Sequence, residues 1–111
     1  MRIFDYVNKR ALVTRASARR LWEPLVEVAK KAGDEFVVDF EGVEAITPSF
    51  VDELIGLISR LRSESKLAIR RVRFENVPTR LSTGFAAIGR GRGAELAEMG
   101  PNVWSTAWGP N

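Results

Sequence analysis

The segment from Glu35 to Val77 does most to limit what this chain can become. EFVVDF (35–40) is an unbroken apolar run with a β-branched centre, which reads as a strand buried on both faces. Gly42 ends it, and after Val43-Glu44-Ala45-Ile46 the sequence Thr-Pro-Ser opens a helix over 48–63. Phe50, Leu54, Leu57 or Ile58, and Leu61 recur at helical spacing, while Asp52, Glu53, Ser59, Arg60 and Arg62 fall outside that stripe. A second strand follows in RRVRFENV (70–77), where arginines alternate with Val72 and Phe74 and leave one face wet. It reads as a solvated edge strand whose charges discourage unwanted pairing. Strand, helix, strand in this order implies a crossover, parallel pairing and a sheet covered by helices.

The flanks extend the pattern. RIFDYV (2–7) and ALVT (11–14), separated by Asn-Lys-Arg, predict an N-terminal hairpin. RASARRLWEPLVEVAKKAG predicts a helix with Ser17 as N-cap, Leu21, Leu25, Val28 and Ala32 on one face, and Lys30, Lys31 and Gly33 as its stop. Pro24 predicts a kink, or a helix proper that starts nearer Glu23. Beyond Pro78 a weaker helix runs through TRLSTGFAAI until GRGRG (89–93) breaks it, and AELAEM resumes a short helical turn. The tail GPNVWSTAWGPN has no helix signal; Trp104 and Trp108 are spaced to share a face, for packing back onto the domain or for docking on a second copy or a partner. The expected order is β-β-α-β-α-β-α: a single α/β domain over 1–99 with a mixed, mostly parallel sheet and helices packed on it, then a Trp-containing tail over 100–111.

Composition narrows the chemistry. A chain of 111 residues has room for one core. It contains no histidine and no cysteine, which excludes Ser-His-Asp and Cys-His catalysis, disulfides and thiolate metal sites. With no convincing nucleophile–base pair, a non-enzymatic protein without a cofactor is expected. Asp39, Glu41, Glu44, Asp52 and Glu53 gather around one turn, but they read as solvated carboxylates rather than a magnesium site. No apolar run approaches the roughly 20 residues of a membrane span, and MRIFDYVNKR lacks the apolar centre of a signal peptide, so a cytoplasmic location is expected. The net charge of +3 is ordinary for a small soluble domain.

The helix start at 47–53 has a purely local reading. Thr47 as N-cap with Pro48 at the first helical position is a preferred beginning; with Ser49 as cap instead, Asp52 closes a capping-box variant. Asp52 and Glu53 also oppose the positive end of the helix dipole. The same geometry has a functional reading, because a hydroxyl in the first turn after a buried strand is displayed at the domain surface. A phosphate there meets free backbone N–H groups, yet brings about two negative charges next to Asp52 and Glu53.

VVDFEGVEAITPSFVDELIGLI resembles the central segment of STAS domains, the family of the bacterial anti-sigma-factor antagonists, in which a buried strand ends in Asp-Leu-x-Gly-Val and an Asp-Ser-Ser-Gly turn opens the next helix. Asp39, Phe40, Gly42, Val43 and Ile46 follow the strand-and-turn pattern, and Thr47, Pro48, Ser49 and Phe50 occupy the four-residue turn. LVTRASARRL together with DFEGVEAITPSFVDEL resembles more closely the STAS-like domain family of unknown function, across roughly residues 12–80. The resemblance implies a STAS-like fold. It also implies a regulatory module whose protein partner is a histidine-kinase-like ATPase, an anti-sigma factor or serine kinase. Ser49 falls where antagonists carry their phosphorylated serine, with Thr47 a weaker candidate, and Thr47, Pro48, Ser49, Phe50, Asp52, Glu53 and Arg15 form the expected partner-binding face. Phe50 departs from the pattern, standing where the family has glycine, and Pro48 stiffens the turn. Arg15 is expected to reach Asp39 or Glu41 at the strand end, or to contact a partner. The rival readings are a nucleic-acid-associated accessory domain using Arg60, Arg62, Arg70, Arg71, Arg73, Arg90 and Arg92, and a structural subunit of a larger assembly. Oligomeric state, monomer or homodimer, is left open.

Overall fold

The N-terminal residues form a turn of helix where a strand is expected, because their strand-like bonds are spent elsewhere. In the computed structural model, which describes residues 1–64, 69, 71–78 and 82–108, the Ile3 N–H donates to the Asp39 carbonyl and the Asp39 N–H to the Met1 carbonyl. Residues 1–3 are thereby laid along the strand that ends at Asp39, and α1 (Phe4–Val7) closes at Asn8, whose φ of 51° is left-handed. No hairpin with 11–14 is left to form. Instead β1 (Ala11–Leu12) pairs in parallel with β3 (Ala45–Ile46).

The first helical region is two helices. Thr14, not Ser17, caps α2 (Arg15–Arg19): its Oγ1 accepts the Ser17 backbone N–H at 3.1 Å. The chain then steps into α3 (Trp22–Lys31), whose cap is Leu21. Pro24 therefore lies in the first turn, where its missing N–H costs nothing, in line with a helix proper starting near Glu23. Lys30 and Lys31 occupy the last turn as expected.

Strand β2 (Glu35–Asp39) alternates, with Phe36 and Val38 buried and Glu35, Val37 and Asp39 half-buried, so only one of its faces is sealed and the expectation of burial on both is corrected. Helix α4 (Pro48–Glu64) is the spine of the domain: Phe50, Val51, Leu54, Ile55, Leu57, Ile58 and Leu61 are all buried. It leads to β4 (Arg71–Glu75), which pairs with β2 in parallel over five residue pairs. β4 is not an edge: β6 (Val103–Trp108) pairs with its other side, antiparallel.

After β4 comes α5 (Ser82–Gly91), and GRGRG does not break it at residue 89. Gly89 is a packing residue, since a Cβ there would run into Leu96 Cδ1. The turn comes at Gly93, with φ of 74°. AELAEM is then not helical but part of β5 (Ala94–Gly100), paired with β6. Alanine, leucine, glutamate and methionine favour helix locally, but Ala94 and Leu96 face inward alternately with Glu95 and Ala97, and hydrogen bonding to β6 decides the outcome.

The sheet order is β2-β4-β6-β5, with one parallel and two antiparallel pairs, so it is mixed and not mostly parallel. Helices cover the face that carries Phe36, Val38, Val72, Phe74, Trp104 and Thr106. A run of rings ties the layers together: Phe40 stacks on Phe74 at 6.2 Å, Phe74 meets Phe85 edge-on at 5.2 Å, and Phe85 lies 5.5 Å from Trp104. Trp104 thus belongs to the core. Among the described residues no helix is long and apolar enough to cross a membrane. Arg70, the helix start expected at 79–81 and the last three residues lie outside the described residues.

Candidate functional site

Three bonds fix the start of α4. The Thr47 N–H donates to the Leu12 carbonyl at 2.9 Å, its hydroxyl donates to the Val13 carbonyl at 3.0 Å, and the same oxygen accepts the Phe50 N–H at 3.3 Å. Thr47 is therefore the N-cap, Pro48 and Ser49 are the first two helical residues, and Asp52 is too far along to close a capping box. Neither Asp52 nor Glu53 lies in the first turn, so their role is not to oppose the helix dipole.

Burial then sorts the residues. Phe50 and Val51 point into the core at 0% exposure, while Pro48 and Ser49 face solvent. Phe50 is a core residue, as its place on the apolar stripe predicts, and this removes it from the expected partner-binding face: the third helical position turns inward. Ser49 shares a stripe with Asp52, Glu53 and Gly56, its neighbours at three, four and seven residues.

That stripe is covered by arginines. Arg15 does not reach Asp39 or Glu41; its Nη1 lies 2.6 Å from Asp52 Oδ2 and 3.6 Å from Glu53 Oε2. Arg19 donates through Nε to Glu53 at 2.8 Å. Arg92, from the turn after α5, grips Asp52 with two bonds of 3.0 Å, Nε to Oδ1 and Nη2 to Oδ2. Arg92 foremost, then Arg15, hold the Asp52 carboxyl below its usual range, and the Asp52 bond raises Arg92 further. Three guanidinium groups against two carboxylates leave one positive charge in excess on the Asp52 and Glu53 side of the stripe. The acidic turn foreseen from sequence is thus dispersed. Asp39 accepts from the Glu41 N–H and the Asn76 amide, both at 2.8 Å, and Glu44 faces Arg10 at 3.6 Å.

Sequence reasoning missed Arg19 and Arg92. One signal was present: Gly56 is the glycine inside an otherwise strong helix, which points to close packing. A Cβ on Gly56 would lie 3.0 Å from Arg92 Cζ, so the missing side chain lets the guanidinium lie flat against α4 on its way to Asp52. The remaining arginines do not converge. Arg60 stacks on Trp22 at 4.3 Å and pairs with Glu64, Arg62 donates to the Ile69 carbonyl, and Arg71 and Arg73 pair with Glu35 across the open face of the sheet.

No curated protein and no solved structure matches the chain. One family does, described as a STAS-like domain of unknown function, over residues 17–77, from within α2 to just past β4. That stretch is more than half of the chain and includes the capped start of α4 with Ser49 on its surface. The chain therefore belongs to the family of STAS-like domains of unknown function (DUF4325).

Proposed function

We propose that this protein is a non-enzymatic, cytoplasmic regulatory module that binds a protein partner through the surface around residues 46–53. The partner is a histidine-kinase-like ATPase, an anti-sigma factor or serine kinase, and phosphorylation of Ser49 alters its affinity. The observation that supports this reading best is the placement of Ser49: exposed, second in a 17-residue helix, and next to an ion-pair cluster with surplus positive charge. A phosphoryl group on Ser49 adds about two negative charges close to the helix N-terminus. The crowding by Asp52 and Glu53 that sequence suggests is relieved, because both carboxylates are already neutralised by Arg15, Arg19 and Arg92. The new charge competes with Asp52 for Arg15 and Arg92, and alters the surface a partner meets without touching the buried Phe50.

The test pairs the protein with a histidine-kinase-like ATPase of the serine-kinase type and with ATP. The expected result is an intact-mass gain of one phosphoryl group that Ser49→Ala abolishes, together with a changed partner affinity for Ser49→Asp. Modification elsewhere, or partner binding indifferent to both variants, overturns the switch. The nucleic-acid reading gains no support from the arrangement of arginines, most of which are matched by carboxylates on separate faces.

A further inference from the structure

A pocket of about 130 Å³ opens between α1 and the junction of α2 with α3, on a part of the surface that the Ser49 reading does not use. Its floor is apolar, with Leu21 buried and Pro24 half-buried. Its rim carries Tyr6, Lys9, Ser17 and Arg20. Among the described residues no carboxylate lines it.

The two cations on the rim are not engaged by a carboxylate among the described residues. Arg2, Arg10, Arg15, Arg19, Arg60, Arg71, Arg73 and Arg92 are all paired with carboxylates, whereas Lys9 and Arg20 make no ion pair among the described residues. The hydroxyls are also placed to donate. Ser17 Oγ accepts from the Thr14 hydroxyl at 2.9 Å, which leaves its own hydrogen to point elsewhere, and Tyr6 is 49% exposed at the mouth. Ser17 lies two residues from both Arg15 and Arg19, so the pocket meets a different face of α2 from the one clamped to α4. A concave, apolar-floored site with a few converging donors is the usual form of a small-molecule pocket. Its volume is close to the ~150 Å³ at which an apolar cavity accepts a benzene ring.

We propose that this pocket binds a small anion with a single-ring body, a carboxylate or a phosphate monoester, its ring on Leu21 and Pro24 and its charge between Lys9 and Arg20. Lysine acts as a point charge and arginine as a planar fork, so the pair accepts either head group, and the probes decide which.

The experiment is a backbone-amide NMR titration of the full chain with phenyl phosphate, benzoate, inorganic phosphate and benzyl alcohol. Saturable shifts confined to Tyr6–Asn8 and Ser17–Leu25 are expected with one or both ring-bearing anions, and the tighter of the two names the head group. A Lys9→Met/Arg20→Met variant, altered only at exposed side chains, keeps the native spectrum and binds at least tenfold more weakly. Inorganic phosphate binding as tightly as phenyl phosphate removes the role of the floor, and benzyl alcohol binding as tightly as benzoate removes that of the cations. Either result overturns the proposal, as do unsaturable shifts spread over Arg71, Arg73 and Arg90.

Discussion

Replacing Asp52 by Asn tests whether the arginine clamp is an electrostatic device or incidental surface decoration. Asn keeps the shape and nearly the helix propensity of Asp, so the change removes the charge and turns one of the two acceptor oxygens into an N–H donor. The carboxylate accepts one bond from Arg15 and two from Arg92, and without its charge the nearest carboxylate to those guanidinium groups is Glu53, at 3.6 and 3.9 Å. Charge-assisted bonds contribute about 1.5–3 kcal/mol when shielded. The Asp52 side chain is 28% exposed and that of Arg92 38%, so solvent screening brings the whole set down to about 1–1.5 kcal/mol. For a chain of this length that is a loss of about 4–6 °C in Tm at pH 7.

The pH dependence has a definite sign. The folded pKa of Asp52 lies below its ordinary value of 3.8, so the stabilisation is present above that value and disappears as pH falls through the folded pKa. Denaturant midpoints for the parent and the Asn variant should differ at pH 7, and the gap should close as pH falls below 3.8 towards the folded pKa and as salt is raised to about 1 M. Equal midpoints at pH 7, or a gap unchanged by acid and salt, would refute the clamp.

Two further outcomes follow from the same helix. Phe50→Ala should cost about 3–5 kcal/mol, as for a fully buried aromatic side chain, whereas Ser49→Ala should stay within about 0.5 kcal/mol; urea unfolding of both reads the contrast directly. Gly56→Ala should gain up to about 1 kcal/mol of helix propensity only when Arg92 is also truncated, because the new methyl group pushes the guanidinium away from Asp52; a double-mutant cycle with Arg92→Ala measures the coupling.

The parts of the fold legible from sequence were those with a long, one-sided pattern. The stripe of Phe50, Leu54, Ile58 and Leu61 located α4 nearly to the residue, and Thr47-Pro48 marked its start. β2 and β4 were readable from their runs, but the neighbour of β4 was not: alternating arginines look the same on an outer strand as on an inner one with an uncovered face. β5 was hidden by residues that favour helix when alone, and α1 by Ile3 and Tyr6, which favour strand. The site divides in the same way. Ser49 was legible because local capping rules place it. The clamp was not, since Arg15, Asp52 and Arg92 are 37 and 40 residues apart in pairs and only the tertiary fold brings them together.

The sheet is also finished from the inside. β6, the last of the described strands, slots between β4 and β5 although it follows β4 by some thirty residues in sequence. Without β6, that side of β4 would show a bare row of amides and carbonyls next to Phe74. Long-range closures of this kind are slow, and the waiting strand is sticky. A chain stopped after Gly100 would leave that gap open permanently and should clump rather than fold. The stretch 17–77 by itself, which ends before the hairpin arrives, is in the same position.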